Sequence, residues 1–186
     1  MPETFLGQGL IFEEMLPLTW ETGPLPHGPA LARLNVDNHQ LLSAESTLDE
    51  VRISEALKEE SQALVHELQR LEYKLNILLR LTADLAARAS PLPAAHKARL
   101  GERGLEWFGD AAPPVGATGL LRIYINSALP QPLKMPCVVF GERSQNAERV
   151  AQLQFRDMSN SVVDLIEKLI FRHHRRLVAG AKVTST

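Results

Sequence analysis

The stretch RLEYKLNILLRL, residues Arg70–Leu81, contains seven large apolar residues among twelve. It lies inside a longer segment, Leu48–Ser90, that has no proline and no glycine. Within that segment leucine recurs every seven residues, at Leu57, Leu64, Leu71, Leu78 and Leu85. If these are called d positions, the a positions carry Ser54, Ser61, Leu68, Leu75 and Thr82. A sustained seven-residue leucine repeat is typical of a coiled coil, so this segment is predicted to pack against other helices.

The sequence also marks where this helix begins and ends. Thr47 is followed three residues later by Glu50, which is the spacing of a capping box, and Asp49 adds negative charge to the first turn. The sequence SPLP at Ser90–Pro93 ends the helix, because proline cannot continue it. We therefore predict one helix over residues 47–90, and about 43 residues at ~1.5 Å each give a rod of roughly 60 Å.

The leucine seam is too long for the rest of the chain to cover. A barrel of roughly 100 residues has a radius of gyration near ~13 Å, so much of the seam needs another partner. Each buried leucine contributes ~1.5 to 3 kcal/mol, which gives roughly 10 to 20 kcal/mol per chain before ordering costs. Self-association is therefore predicted through Leu57, Leu64, Leu68, Leu71, Leu75, Leu78 and Leu85.

Apolar residues beside the seam widen its apolar face. The e positions include Val65, Leu79 and Ala86, and the g positions include Ile53 and Leu81. A face broader than a two-stranded seam favours three or four helices, and we expect a homotetramer. The sequence leaves open the choice between trimer and tetramer and the choice between parallel and antiparallel helices.

Strand patterns lie on both sides of the helix. In residues 1–46, short apolar pieces alternate with turn sequences, and Leu10–Trp20 and Ala30–Val36 are predicted strands. Residues 91–98 are predicted to be a connector. Residues 99–156 contain four further predicted strands, Gly104–Gly109, Gly119–Ile125, Met135–Glu142 and Arg149–Phe155. The fold class is therefore mainly β plus α, a small antiparallel β-barrel with a long helix inserted.

A second helix is predicted over residues 157–180. Ser161 and Asp164 supply its cap, and Gly180 is its stop, so residues 181–186 are expected to form a frayed tail. Apolar residues at helical spacing should lie on the barrel, namely Val162, Leu165, Ile166, Leu169, Ile170 and Leu177.

The composition argues against several classes of function. Twenty Lys and Arg against 22 Asp and Glu leave no basic excess, so we expect no nucleic-acid partner. Charged residues such as Lys74, Arg80 and Asp84 interrupt the most apolar segment, so no membrane insertion is expected. The N-terminus has no basic region of a signal peptide, and the single Cys137 excludes an intrachain disulfide. These features predict a cytoplasmic protein.

The sequence carries no recognisable catalytic motif. His173 and His174 are adjacent and point about 100° apart on a helix, and there is no HxxxH, GxSxG or glycine-rich phosphate loop. We therefore expect no catalytic residue, no metal and no cofactor. The basic cluster of Arg172, Arg175 and Arg176 has two readings: cations favoured by the dipole at a helix C-terminus, or a site for an anionic ligand.

The stretches RLGERGLEW, PVGATGLLRIYI, PCVVFGE and AQLQFRDM, followed by an amphipathic helix, resemble a PilZ domain. The insertion LQRLEYKLNILLRL is similar to that of atypical, coiled-coil-containing PilZ proteins of bacteria. The resemblance implies a small antiparallel β-barrel that senses cyclic di-GMP. It also implies a link to motility, pilus, polysaccharide or virulence machinery.

The ligand motifs of that family are an RxxxR near the start of the barrel and a (D/N)xSxxG on a following strand. With Gly104 as the motif glycine, Arg99 stands in the Asp or Asn position and Gly101 in the Ser position. The segment before the helix has Arg33 but no RxxxR, so the resemblance does not predict standard cyclic di-GMP binding. Arginines with RxxxR spacing elsewhere are the remaining ligand candidates: Arg99, Arg103, Arg172 and Arg176.

These observations predict a non-enzymatic regulator or adaptor of a cyclic di-GMP-linked pathway. Its coiled coil gathers several barrels and presents them to an unidentified protein partner. The alternative is a cyclic di-GMP receptor with a non-standard pocket built from the candidate arginines.

Overall fold

The computed structural model describes residue 6 and residues 9–50, 62–89, 92–126 and 131–183. These ranges contain six strands and three helices. In chain order they are β1 (Phe12–Thr22), α1 (Gly28–Glu50), α2 (Gln62–Ala89), β2 (Ala95–Leu100), β3 (Gly104–Phe108), β4 (Thr118–Ile123), β5 (Leu133–Gln145), β6 (Glu148–Phe155) and α3 (Asn160–Val183).

The six strands form a closed antiparallel barrel in the order β1-β2-β3-β6-β5-β4. The long strand β1 closes it, because its first half pairs with β2 and its second half with β4. Phe12 lies opposite Leu100 in the first half, and Thr22 lies opposite Gly119 in the second. The predicted small antiparallel barrel is confirmed, with helices inserted between β1 and β2.

The barrel core follows from the alternation of side chains along each strand. Apolar residues point inward and are fully buried, among them Leu100, Leu105, Leu121, Ile123, Met135 and Leu153. Helix α3 covers this core with Val162, Ile166, Leu169 and Ile170, all buried at helical spacing. The predicted amphipathic contact of the last helix is therefore confirmed for these residues, whereas the side chain of Leu177 lies outside the described part.

The ends of α3 differ from the prediction. Its N-terminal cap is Ser159 rather than Ser161, since the Ser159 hydroxyl accepts a hydrogen bond from the backbone N–H of Val162 at 3.4 Å. The helix also continues through Gly180 to Val183, so residues 181–183 of the predicted tail are helical. Glycine disfavours a helix interior by only about 1 kcal/mol, which is too little to end it on its own.

The predicted strand at Ala30–Val36 is wrong, because these residues lie in α1. Over seven residues, the order of apolar and polar side chains fits the two-residue period of a strand as well as the 3.6-residue period of a helix. The helical period is visible only over a longer stretch of α1, where Leu34, Asn38 and Leu42 are buried four residues apart. Pro29 in the first helical turn was the available signal for a helix start. The predicted helix start at Thr47 is also wrong, because α1 begins at Gly28 and already contains Thr47.

The described part of helix α2 contains 28 residues and is roughly 42 Å long. Residues 92–94 are not helical, so the helix has ended within the SPLP sequence or just before it, as predicted. Residues 51–61 lie outside the described part, so only the helical continuity of this segment between α1 and α2 stays a prediction. The predicted connector at 91–98 is wrong in its second half, because β2 begins at Ala95, with Ala98 and Leu100 buried in the core.

Candidate functional site

The first candidate surface is the leucine stripe of α2, which no described element covers. The described seam leucines are exposed by 53 to 65%, namely Leu68, Leu71, Leu75, Leu78 and Leu85. Within the described residues, α2 makes no extensive contact with any other helix or strand. Leu57 lies outside the described residues, as does the side chain of Leu64. A contiguous apolar face of this length is typical of a protein interaction surface.

The stripe is broader than the seam itself. Leu81, which stands at a g position, is 54% exposed next to it. The opposite face carries polar groups, such as the ion pair of Glu67 and Arg70 at 3.6 Å. Helix α2 is therefore amphipathic, with an apolar face that has no partner within the described protomer.

Two asparagines attach α1 to β5 and to the segment between β6 and α3. The side-chain nitrogen of Asn38 donates to the carbonyl oxygen of Lys134 at 2.8 Å, and its oxygen accepts from the Lys134 N–H at 3.0 Å. Asn35 donates to the carbonyl oxygen of Asp157 at 3.2 Å and accepts from the N–H of Ser159 at 2.9 Å. Sequence reasoning missed both residues, because Asn35 lay in a predicted strand and the polarity of Asn38 gave no sign that it is buried.

An ion pair completes the attachment of α1. The buried Glu45 pairs with Arg172 of α3, whose side chain is 20% exposed. The predicted ligand candidate Arg172 therefore joins two helices. Its guanidinium already has a carboxylate partner, which an anionic ligand would have to displace.

The second candidate surface is the outer face of the barrel at the β2–β3 hairpin, which carries the motif positions Arg99 and Gly101. Arg99 lies there, with its Nε 2.6 Å from the Glu13 carboxylate and its Nη1 3.6 Å from that of Glu106. Its guanidinium also lies over the ring of Phe108, 5.3 Å from the ring centroid. The hydrogen bond from Arg99 holds the pKa of Glu13 below its ordinary value, with Lys97 contributing in the same direction.

Glu106 connects Arg99 to a second arginine. Its carboxylate is 5% exposed and accepts two hydrogen bonds from Arg143, at 2.9 and 2.8 Å. This bidentate contact raises the pKa of Arg143. Because both guanidinium groups already have carboxylate partners, an incoming phosphate would have to compete with Glu13 and Glu106.

At Gly101, which stands in the serine position of the motif, Leu6 takes the space that a side chain would need. A Cβ on Gly101 would lie 2.2 Å from the carbonyl oxygen of Leu6, far closer than van der Waals contact. Leu6 is itself only 3% exposed, so this N-terminal residue is packed against the hairpin. A serine at this position would require the N-terminal segment to move. Sequence reasoning found the missing serine, but nothing in the sequence showed what replaces it.

The remaining arginines have different surroundings. Arg103 lies on the β2–β3 hairpin, 73% exposed, with its Nε 3.2 Å from Glu102. Arg176 lies exposed near the C-terminus of α3. The structure therefore places Arg99 and Arg103 on the same hairpin, whereas Arg172 belongs to the contact between α1 and α3.

Other groups with reactive potential are buried or isolated. Cys137 is fully buried, and burial raises the pKa of its thiol. Burial against the Phe12 ring lowers the pKa of His173, although the Glu14 carboxylate opposes this. In the described ranges, no three His, Cys, Asp or Glu side chains are grouped as a metal site would require. None of the helices in those ranges has the length and apolarity needed to cross a membrane.

Comparison with known proteins gives a family and a fold. A family model described as "Atypical PilZ domain, cyclic di-GMP receptor" matches residues 42–183. A comparison with curated proteins finds no match. Among solved structures, the chain is similar to a pathogenic protein from Xanthomonas campestris, with a TM-score of 0.73 and 24% identity over 92% of this chain and 91% of that chain. That protein is described as a tetrameric PilZ domain self-assembled via an unusual helical bundle.

Proposed function

The chain belongs to the atypical PilZ domain family of cyclic di-GMP receptors, and we propose that it is a non-enzymatic adaptor that assembles through α2. The observation that carries this proposal is the row of seam leucines on α2, each more than half exposed in the protomer. The pathway is one linked to cyclic di-GMP, with motility, pilus function or virulence as its output.

The energy available to the assembly can be bounded from the exposure of the stripe. Covering the exposed half of one leucine contributes about 1 kcal/mol, so the five described leucines contribute roughly 5 kcal/mol per chain. Association costs of roughly 4 to 15 kcal/mol oppose this, so burial of the flanking residues is needed as well. A bundle of four helices covers Leu81 together with the seam, which a two-stranded coil does not. The Xanthomonas campestris protein, which has the same fold and is a tetramer, supports a bundle of four chains.

The assembly would act by presenting several barrels on one rod. A partner that contacts two barrels gains effective concentration without any new contact. The two motif positions support an adaptor more than a standard receptor. Leu6 leaves no room for a serine side chain at Gly101, and Arg99 is hydrogen-bonded to Glu13.

Multi-angle light scattering on the variant Leu71→Asp with Leu78→Asp tests the proposal. Both side chains are more than half exposed in the protomer, so the substitutions should leave the barrel folded. Burying their carboxylates in a seam would cost several kcal/mol per ion, so we expect this variant to be monomeric.

The matched control is Tyr73→Asp, on the same helix and 65% exposed but away from the seam. It should keep the oligomer of the wild type. A double variant that remains oligomeric, or a wild type that is already monomeric, would refute assembly through α2.

A second candidate function is a cyclic di-GMP receptor with a non-standard pocket. It is favoured by the exposed guanidinium of Arg103 on the hairpin that carries the motif positions. Titration calorimetry with cyclic di-GMP separates the two functions. Micromolar binding that Arg103→Ala abolishes, and that Arg33→Ala on α1 leaves intact, would establish the receptor; no binding by the wild type would exclude it.

A further inference from the structure

A groove separate from α2 lies between the N-terminal segment and α3. Its walls are formed by Gly9 and Leu10 on one side and by Ile170 and Phe171 of α3 on the other. Its volume is about 320 Å³, which is enough for one or two large side chains of another molecule. Two carboxylates, those of Glu102 and Glu167, also line it.

The apolar part of the groove is open. Phe171 is 53% exposed and Leu10 is 41% exposed, although Ile170 between them is buried in the core. A Cβ placed on Gly9, which lines the groove, would meet no atom within 4 Å, so this position has room for a side chain. Apolar walls of this kind are stabilised when another apolar side chain covers them.

The acidic part of the groove holds more negative than positive charge. A hydrogen bond with the Glu102 carboxyl raises the pKa of Glu167, and burial and the neighbouring Asp164 act in the same direction. The guanidinium of Arg103 opposes this, but it is 73% exposed. The two carboxylates that line the groove, together with the nearby Asp164, therefore outnumber the one exposed cation, and a further cation between Glu102 and Glu167 would be attracted to both.

We propose that this groove binds a segment of a partner protein in which an apolar side chain stands next to a lysine or arginine. The apolar side chain packs between Leu10 and Phe171, and the cation lies against Glu102 and Glu167. This inference rests on the proposed adaptor function, for which it supplies the docking site and the chemistry of the partner. Its geometry uses no residue of α2.

Selection of a random peptide display library on the wild-type protein tests the proposal. We expect enriched peptides to share an apolar residue beside lysine or arginine. The most enriched peptide, labelled with fluorescein, is then titrated by fluorescence anisotropy. Its affinity should fall by at least about tenfold for the variant Glu102→Gln with Glu167→Gln. It should fall likewise for Gly9→Trp, which places a large side chain on a residue that lines the groove.

The control is Asp110→Asn, an exposed carboxylate in the loop after β3, which should leave binding unchanged. Affinity should also fall as the pH is lowered, because a Glu167 carboxyl with a raised pKa takes up its proton earlier than an ordinary glutamate does. Enriched peptides without a cation, or binding that neither groove variant weakens, would overturn the proposal.

Failure of the groove and failure of the assembly are distinguishable. The same titration is made on the variant Leu71→Asp with Leu78→Asp. If the wild type proves monomeric but binds the peptide with the expected dependence on Glu102 and Glu167, the groove holds and the assembly fails. An oligomeric wild type that enriches no peptide over the Gly9→Trp variant refutes the groove alone.

Discussion

Replacing Asn38 by alanine removes the two hydrogen bonds that attach the middle of α1 to β5. Both involve Lys134, whose carbonyl oxygen accepts at 2.8 Å and whose N–H donates at 3.0 Å. Asn38 is only 1% exposed, so water cannot easily take the place of its amide. The Asn38→Ala substitution therefore leaves a backbone donor and a backbone acceptor without their partner.

The size of the effect follows from these two contacts. Each hydrogen bond contributes about 0.5 to 1.5 kcal/mol, and a buried polar group left unpaired costs about 1 to 3 kcal/mol. We expect the free energy of unfolding to fall by about 2 to 4 kcal/mol. For a chain of this size, that corresponds to a melting temperature lower by roughly 5 to 15 °C.

The measurement is thermal and urea unfolding followed by circular dichroism at one fixed protein concentration, because assembly makes stability depend on concentration. Val36→Ala is the matched control on the same helix, since Val36 is 54% exposed, and its effect should stay within about 0.5 kcal/mol. An Asn38→Ala variant as stable as this control would refute the attachment of α1 through Asn38.

Three further predictions concern single side chains. Gly101→Ser should lower stability by about 1 to 3 kcal/mol, because its Cβ overlaps the backbone of Leu6, and tight cyclic di-GMP binding by this variant in calorimetry would contradict the filled site. Arg99 lowers the pKa of Glu13, so the charged pair stabilises the fold at pH values above the ordinary glutamate pKa of 4.5. This stabilisation is lost as the pH falls through the lowered pKa of Glu13. The stability difference between wild type and Glu13→Gln should therefore shrink between about pH 6 and pH 3, and a constant difference would contradict the pairing. Cys137 should not react with a thiol reagent in the native protein, because burial raises its pKa; rapid labelling at neutral pH would show that the core is open.

The barrel was predictable where its strands alternate. In β6, Ala151, Leu153 and Phe155 point inward between two partly exposed glutamines, and this period of two is visible in the sequence. The leucine repeat of α2 was equally visible, because seven-residue spacing needs no knowledge of the fold. Both signals are local, so the amino-acid order alone carries them.

The elements that failed depend on contacts between distant parts of the chain. The buried face of α1 includes Asn38 and Glu45, polar residues that belong there only because Lys134 and Arg172 meet them. Their polarity hid the helical period of the face. The departure from the ligand motif at Arg99 and Gly101 was visible in the sequence. The packing of Leu6 against Gly101 was not predictable, since this contact joins segments far apart in sequence.

Sedimentation equilibrium of the wild-type protein at micromolar concentration tests assembly through α2 most directly. The exposed seam of Leu68, Leu71, Leu75 and Leu78 predicts a mass four times the chain mass of 20.6 kDa. A single species at 20.6 kDa would contradict the assembly and with it the adaptor that depends on it.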